Sequence, residues 1–249
     1  MHHSGAWLSH ACSPWNRRPG LAFAARPGNN EEEETTSVET RPVQTSMPRR
    51  VTTIAFDLGN VLVQVDHGRF CRGLGELAGL SAAEVYGAVF ETKLEPAYDK
   101  GQVSSREFYQ GIAARFRLSL SYSHFCRLWC GIFDPMEGVE AVLAHLAARF
   151  PLFLLSNTNE LHFRFIQEHF PAILQPFQAF ILSFLVGSRK PEPEIYQALV
   201  QRAGRPAGEI LYLDDKQPFV AAAREQGLVA WQFFSPGELR QELQRHGLW

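Results

Sequence analysis

Ile54-Ala55-Phe56-Asp57-Leu58-Gly59-Asn60-Val61-Leu62 is an apolar run that stops at a carboxylate, turns at Gly-Asn and becomes apolar again. This is the pattern of a buried strand that delivers Asp57 to the end of a sheet. In parallel α/β sheets ligands bind in the crevice beyond the carboxyl ends of the strands, so a carboxylate there is placed for chemistry. Working outward from it, strand-like runs from Arg50 onward end in polar residues and are followed by helical patterns. That alternation argues for an α/β fold with a parallel sheet covered on both faces. The expected strands are 51–57, 151–156, 179–183, 210–214 and 228–233. Helices are expected over 193–203, 218–226 and 236–245, each opened by a proline.

The interval 67–136 breaks the alternation. It carries only helical patterns, without a convincing strand. Ser81-Ala-Ala-Glu84 and Ser104-Ser-Arg-Glu107 have the form of capping boxes. Two more helices are expected over 68–78 and 121–131, and Phe108, Tyr109, Ile112 and Phe116 recur at the spacing of a bundle core. The expected organisation is a core of 47–66 with 137–249, an inserted helical module at 67–136, and a disordered extension at 1–46. The extension is rich in Pro, Gly, Asn and Ser and holds the acidic block Glu31 to Glu34. Its arginines faintly resemble a transit peptide, but an overextended start, with Met47 opening the folded part, is the preferred expectation.

A chain of 249 residues with 45% apolar content buries one substantial core. The net charge of −2 is spread without a basic cluster, so neither nucleic acid nor an anionic membrane is an expected partner, and a small molecule is. No run approaches the ~20 apolar residues of a membrane-spanning helix. Cys12, Cys71, Cys126 and Cys130 lack CxxC spacing and read as thiols of a reducing compartment; a cytoplasmic monomer is the expectation.

Polar groups end the other strands too. Ser156 closes Leu152-Phe-Leu-Leu155 and opens Asn157-Thr158-Asn159, small polar side chains and turn amides suited to an anionic oxygen. Lys190, one of four lysines, lies in a loop before a helix start. Asp214 and Asp215 end Ile210-Leu-Tyr-Leu213 as adjacent hard-oxygen ligands of the kind that bind Mg²⁺. Singly, each has an ordinary reading: a turn residue, a helix cap, a solvated surface charge, a helix N-terminal charge pair. Together they meet the needs of phosphoryl transfer, with a carboxylate to attack phosphorus and positive charge to offset the phosphoryl oxygens.

At this point the sequence resembles the haloacid dehalogenase superfamily of phosphatases, whose four motifs occur here in order. They are Asp57-Leu-Gly-Asn-Val-Leu62, Ser156-Asn-Thr-Asn159, Arg189-Lys-Pro-Glu192 and Leu213-Asp-Asp215. The resemblance implies a Rossmann-like core with the helical insert as a cap, and within the superfamily it points to sugar-phosphate phosphatases of the α-glucose-1-phosphate type. It further implies Asp57 as nucleophile, Ser156 and Lys190 holding the phosphoryl group with Asn157 beside them, and Mg²⁺ as cofactor. Asp57, the Gly59 carbonyl, Asp214 in support and Asp215 directly would hold that ion.

Two positions depart from the pattern. Gly59 stands where most relatives have a proton-transferring aspartate, which implies a preference for good leaving groups such as the anomeric oxygen of a sugar 1-phosphate. Phe219 stands where many relatives have an asparagine, which implies weaker Mg²⁺ binding through a lost outer hydrogen bond. The competing readings are a noncatalytic phospholigand-binding protein and, below it, a carbon-halogen hydrolase. In the insert, Glu95, Tyr98, Asp99 and Lys100 are candidates for a sugar hydroxyl, with a solvated loop as their ordinary reading; His67 and Arg69 are similar candidates. His124, His145, His162 and His169 have no mutual ligand spacing and receive no role.

Overall fold

Thr53–Phe56 forms β1, fully buried, at the centre of a five-stranded sheet in a computed structural model that describes residues 50–249. The expectations for residues 1–46, and Cys12 with them, lie outside the described residues. The other strands of the sheet are β4 (Leu152–Ser156), β5 (Phe177–Leu182), β6 (Ile210–Asp214) and β7 (Val229–Gln232), all paired in parallel in the order β5-β4-β1-β6-β7. Strand ends differ from the sequence reading by one or two residues, within the usual fraying of such boundaries. One difference has a cause: Ser183, expected in a strand, instead opens a four-residue helix, its hydroxyl donating to the Thr158 carbonyl at 2.8 Å.

Alternation along the strands divides the core into two layers, because successive side chains point to opposite faces. Ile54, Phe56, Leu211 and Leu213 pack in one layer, while Ala55, Ile210 and Tyr212 pack in the other. The flanking helices are α6 (Val139–Ala147), α7 (Glu160–His169), α8 (Pro171–Leu174), α9 (Ser183–Val186), α10 (Pro193–Ala203), α11 (Gln217–Glu225) and α12 (Pro236–Arg245), numbered after the five helices of the insert.

Those five are α1 (His67–Ala78), α2 (Ala82–Phe90), α3 (Leu94–Asp99), α4 (Ser105–Phe116) and α5 (Tyr122–Cys130). Both capping boxes form, with the Ser81 and Ser104 hydroxyls accepting the Glu84 and Glu107 amides. Phe70, Phe108, Phe125 and Trp129 centre a core of the insert's own.

Two expectations about this interval need correction. It does contain a strand: β3 (Phe133–Pro135) pairs antiparallel with β2 (Val63–Val65), and the two carry the chain out of the sheet and back. Three residues that include Asp134 and Pro135 have too little β-propensity to register alone, so the strand exists only through its partner. Glu95 to Lys100 is not a solvated loop either. It is largely helix α3, and Tyr98 and Asp99 are buried.

Candidate active site

The two aspartates meet because β1 and β6 are neighbours in register. Phe56 pairs with Leu213, and the Asp57 amide donates to the Leu213 carbonyl at 2.8 Å, which brings Asp57 and Asp214 side by side beyond the strand ends. From β1 the chain continues to β4 on one side, and from β6 to β7 on the other. The pair therefore stands at the topological switch point, where a crevice opens. After Asp57 the chain turns through Asn60, whose left-handed φ of 58° asparagine tolerates better than most residues. The Asn60 carboxamide oxygen accepts the Val65 amide at 3.0 Å, fixing the turn.

Lys190 is 1% exposed, which overturns its reading as a surface charge. Its ammonium donates to Asp57 Oδ1 at 2.8 Å, Asp214 Oδ2 at 2.7 Å and the Tyr212 hydroxyl at 2.9 Å, using all the protons an ammonium has. Burial works against this charge, but the two carboxylates outweigh it and hold the Lys190 pKa above its ordinary value. Burial pushes Asp57 up to about 7, with Lys190 pulling it back and Asp214 adding to the rise. Asp214 is fully buried, and it also accepts a hydrogen bond from the Tyr212 hydroxyl and, through Oδ1, the Lys216 amide at 2.8 Å.

Asp57, Asp214 and Asp215 each offer an oxygen, all within 4.8 Å of one another. Asp215 Oδ1 is buried without a partner, and burial together with the charge of Asp214 raises its pKa. Three carboxylates, only two of them bonded to Lys190 and the third with one oxygen left unsatisfied, fit a hard divalent cation such as Mg²⁺. Support for Asp215 comes from Asn60 Nδ2, 3.5 Å from Oδ2, and from Gln232 Nε2, which donates to the Asp215 carbonyl at 2.9 Å. Phe219 takes no part in that support. Its ring lies 5.0 Å from the Lys190 ammonium, so the position contributes a cation–π contact to the lysine.

Ser156 lines a cleft of about 100 Å³ with Asp57, Gly59 and Lys190, and its hydroxyl has only a 3.4 Å contact to the Asn157 carbonyl, which leaves it available. Asn157 also lines the cleft, but its carboxamide is engaged with the Lys190 backbone, accepting from the amide at 2.8 Å and donating to the carbonyl at 2.9 Å. Its first role is to clamp the lysine loop to the end of β4.

The structure adds residues that the sequence reading missed. Asn159 caps α7 and joins the sheet to the insert: Oδ1 accepts the His162 amide at 3.1 Å and Trp129 Nε1 at 3.3 Å, while Nδ2 donates to Asp99 at 3.2 Å. His162 stacks on Trp129 at 4.6 Å, with Nε2 against the Trp129 carbonyl at 2.9 Å and Nδ1 against Asn159 at 3.2 Å. Burial pushes its pKa down to about 3, so the ring is neutral. Arg189 holds Glu95 at 3.2 Å and Asp99 at 3.8 Å, and Lys100 pairs with Glu192. The Tyr98 hydroxyl meets the Ser105 hydroxyl at 2.8 Å and the Leu161 amide at 3.3 Å, so all four candidates of the α3 region bind the protein's own residues and do not line the cleft. A Cβ on Gly101, which has φ +66°, would fall on the Phe184 carbonyl oxygen, so glycine is required where the insert meets helix α9. Arg69 is held outside the cleft by Asp134 and Asp66, whereas His67 lines it.

The family pattern of the haloacid dehalogenase-like hydrolases matches residues 51–227, and the chain belongs to that family. Among curated proteins it is 24% identical over 200 residues to a D-ribitol-5-phosphate phosphatase of Bacteroides thetaiotaomicron, covering 78% of this chain and 97% of that one. A crystal structure of a haloacid dehalogenase family enzyme from the same organism superposes with a TM-score of 0.70 at 23% identity, over 75% of this chain and 95% of that one. Its complex with magnesium and inorganic phosphate gives 0.67 at 23% identity, over 74% and 95%. Among the described residues no helix is long and apolar enough to cross a membrane.

Proposed function

We propose that the protein is a Mg²⁺-dependent phosphatase that removes phosphate from small polyhydroxylated metabolites, sugar or polyol phosphates, through an aspartyl-phosphate on Asp57. The observation that carries this reading is the Lys190 ammonium bound to both Asp57 and Asp214 beside the unsatisfied oxygen of Asp215. The magnesium and phosphate complex of the structural relative and the phosphatase activity named for the curated relative support it.

In the first step an Asp57 carboxylate oxygen attacks phosphorus, the bond from phosphorus to the substrate oxygen breaks, and that oxygen leaves with the electron pair as an alkoxide, which takes a proton from water to become the alcohol. Lys190 keeps Asp57 oriented through Oδ1, and Ser156 offers its hydroxyl to a phosphoryl oxygen. In the second step water attacks phosphorus, the acyl phosphate bond breaks, and inorganic phosphate and the Asp57 carboxylate are restored. A bound Mg²⁺ would be held by Asp57, Asp214, Asp215 and the Gly59 carbonyl, and would offset charge on the phosphoryl oxygens. Tyr212 and Asn157 position Lys190 from two sides.

Residues 67–136 act in this reading as a cap over the cleft, tied to the core through Asn159 and Arg189. Gly59 supplies no proton to the leaving oxygen, which favours the anomeric phosphates; the curated relative instead favours a polyol phosphate. The test is phosphate release by the full chain from α-glucose 1-phosphate, glucose 6-phosphate, ribitol 5-phosphate and an aryl phosphate, with Mg²⁺ or a chelator, beside Asp57→Asn. Metal-dependent release that the substitution abolishes is expected. Release that survives Asp57→Asn would end this reading, and faster cleavage of glucose 6-phosphate than of the 1-phosphate would end the anomeric preference.

A further inference from the structure

The cleft is lined by five titratable side chains: Asp57, His67, His162, Lys190 and Lys216. Asp57 and Lys190 are bonded to each other, and both ring nitrogens of His162 have partners in Trp129 and Asn159. Lys216 follows the acidic pair, its ammonium 5.4 Å from the Phe219 ring. His67 is different. Its ring packs against Phe90 at 4.8 Å between centroids, and its Nδ1 is buried without a hydrogen-bond partner. A buried polar atom without a partner carries a desolvation cost and marks a place where a partner belongs.

The chemistry of that partner follows from the state of the ring. Burial lowers the His67 pKa, with the charge of Glu95 opposing it and that of Lys216 adding to it, which keeps the imidazole neutral near pH 7. A neutral imidazole offers one donor and one acceptor, the complement of the donor and acceptor that a hydroxyl offers, and it brings no positive charge to a phosphoryl group. Gly59 leaves that part of the cleft without a side chain of its own, and a Cβ there would lie 3.2 Å from Val65 Cγ2. Val65 thus closes the side that a Gly59 side chain would take, and His67 lines the same cleft as Asp57 and Ser156.

We propose that His67 is a specificity-determining residue that hydrogen-bonds a hydroxyl of the alcohol portion of the substrate, selecting polyhydroxylated phosphomonoesters over esters that lack hydroxyls. The inference rests on the phosphatase reading above. It is tested in the full chain by His67→Phe, which keeps an aromatic ring against Phe90, and by His67→Gln, which restores a donor and an acceptor. Each is assayed on α-glucose 1-phosphate, ribitol 5-phosphate and p-nitrophenyl phosphate with Mg²⁺, with circular dichroism and a melting curve to establish folding.

In His67→Phe the ratio of kcat/KM on the better polyhydroxylated substrate to that on p-nitrophenyl phosphate falls about tenfold, the worth of one hydrogen bond, and the fall lies in KM. His67→Gln recovers part of it. An unchanged ratio in folded His67→Phe, or a parallel loss on both kinds of substrate, overturns the proposal while leaving the phosphatase reading intact. If His67→Phe does not fold, the same comparison is read from His67→Leu. Wild-type protein that hydrolyses none of these esters removes the phosphatase reading and this proposal with it.

Discussion

Replacing Asn159 by alanine should be among the most damaging single changes outside the catalytic carboxylates. The side chain is 1% exposed and holds four partners at once: the His162 amide, Trp129 Nε1, Asp99 Oδ1 and His162 Nδ1. Loss of the helix cap costs about 1 kcal/mol. Leaving the buried Trp129 N–H unpaired adds roughly 1–3 kcal/mol, and the His162 nitrogen, which loses its only donor, adds a smaller amount. Partial relaxation keeps the total below the sum, so about 3–4 kcal/mol is expected, a large share of the ~5–15 kcal/mol that stabilises a typical domain.

The assay is urea unfolding of wild type, Asn159→Ala and Asn159→Ser, followed by tryptophan fluorescence. Asn159→Ser restores only the cap and should recover about 1 kcal/mol of the loss. A loss below ~1 kcal/mol in Asn159→Ala, with an unchanged m-value, would refute the reasoning, because it would mean that water replaces the buried partners freely.

Three further outcomes are expected. His162 titrates at about 3 when folded, against about 6.5 unfolded, so the unfolded state takes up the proton first and stability falls as pH drops from 6.5 toward 3. Wild type should therefore lose stability faster than His162→Gln between these limits, by up to ~1.4 kcal/mol per pH unit; parallel curves would contradict the buried neutral ring. Mg²⁺ at a hundredfold excess over its Kd should stabilise wild type by about 2.7 kcal/mol in thermal melts, and Asp215→Asn should reduce this sharply; an equal shift in both would remove Asp215 from the metal site. Lys190→Met leaves Asp57 and Asp214 buried without their shared cation, so activity should fall by about 100-fold or more and stability by roughly 3–5 kcal/mol, and near-wild-type turnover would exclude the assigned role.

The sheet was legible because its strands are short apolar runs ending in charged or polar residues, and Asp57, Ser156 and Asp214 sit at those ends in both readings. What escaped depends on partners far away in the chain. Glu95 and Asp99 look like loop acids until Arg189, some ninety residues on, is seen to hold them. Tyr212 passed for an apolar strand residue, although its place two before Asp214 on the same face was a usable signal. Asn159 was read as one of a group of small polar turn residues, and no local pattern announces that Trp129 and Asp99 will meet it. Phe219 could be read only as an absence until its ring was placed over Lys190.

The central claim is that Asp57 carries the phosphoryl group between the two halves of the reaction. The most direct measurement is an acid quench within the first turnover of wild type with Mg²⁺ and substrate, followed by mass spectrometry of the peptide containing Asp57. A phosphorylated, hydroxylamine-sensitive Asp57 that is absent from Asp57→Asn is the expected result. Phosphate released in the first turnover with Asp57 unmodified at every quench time would contradict the account.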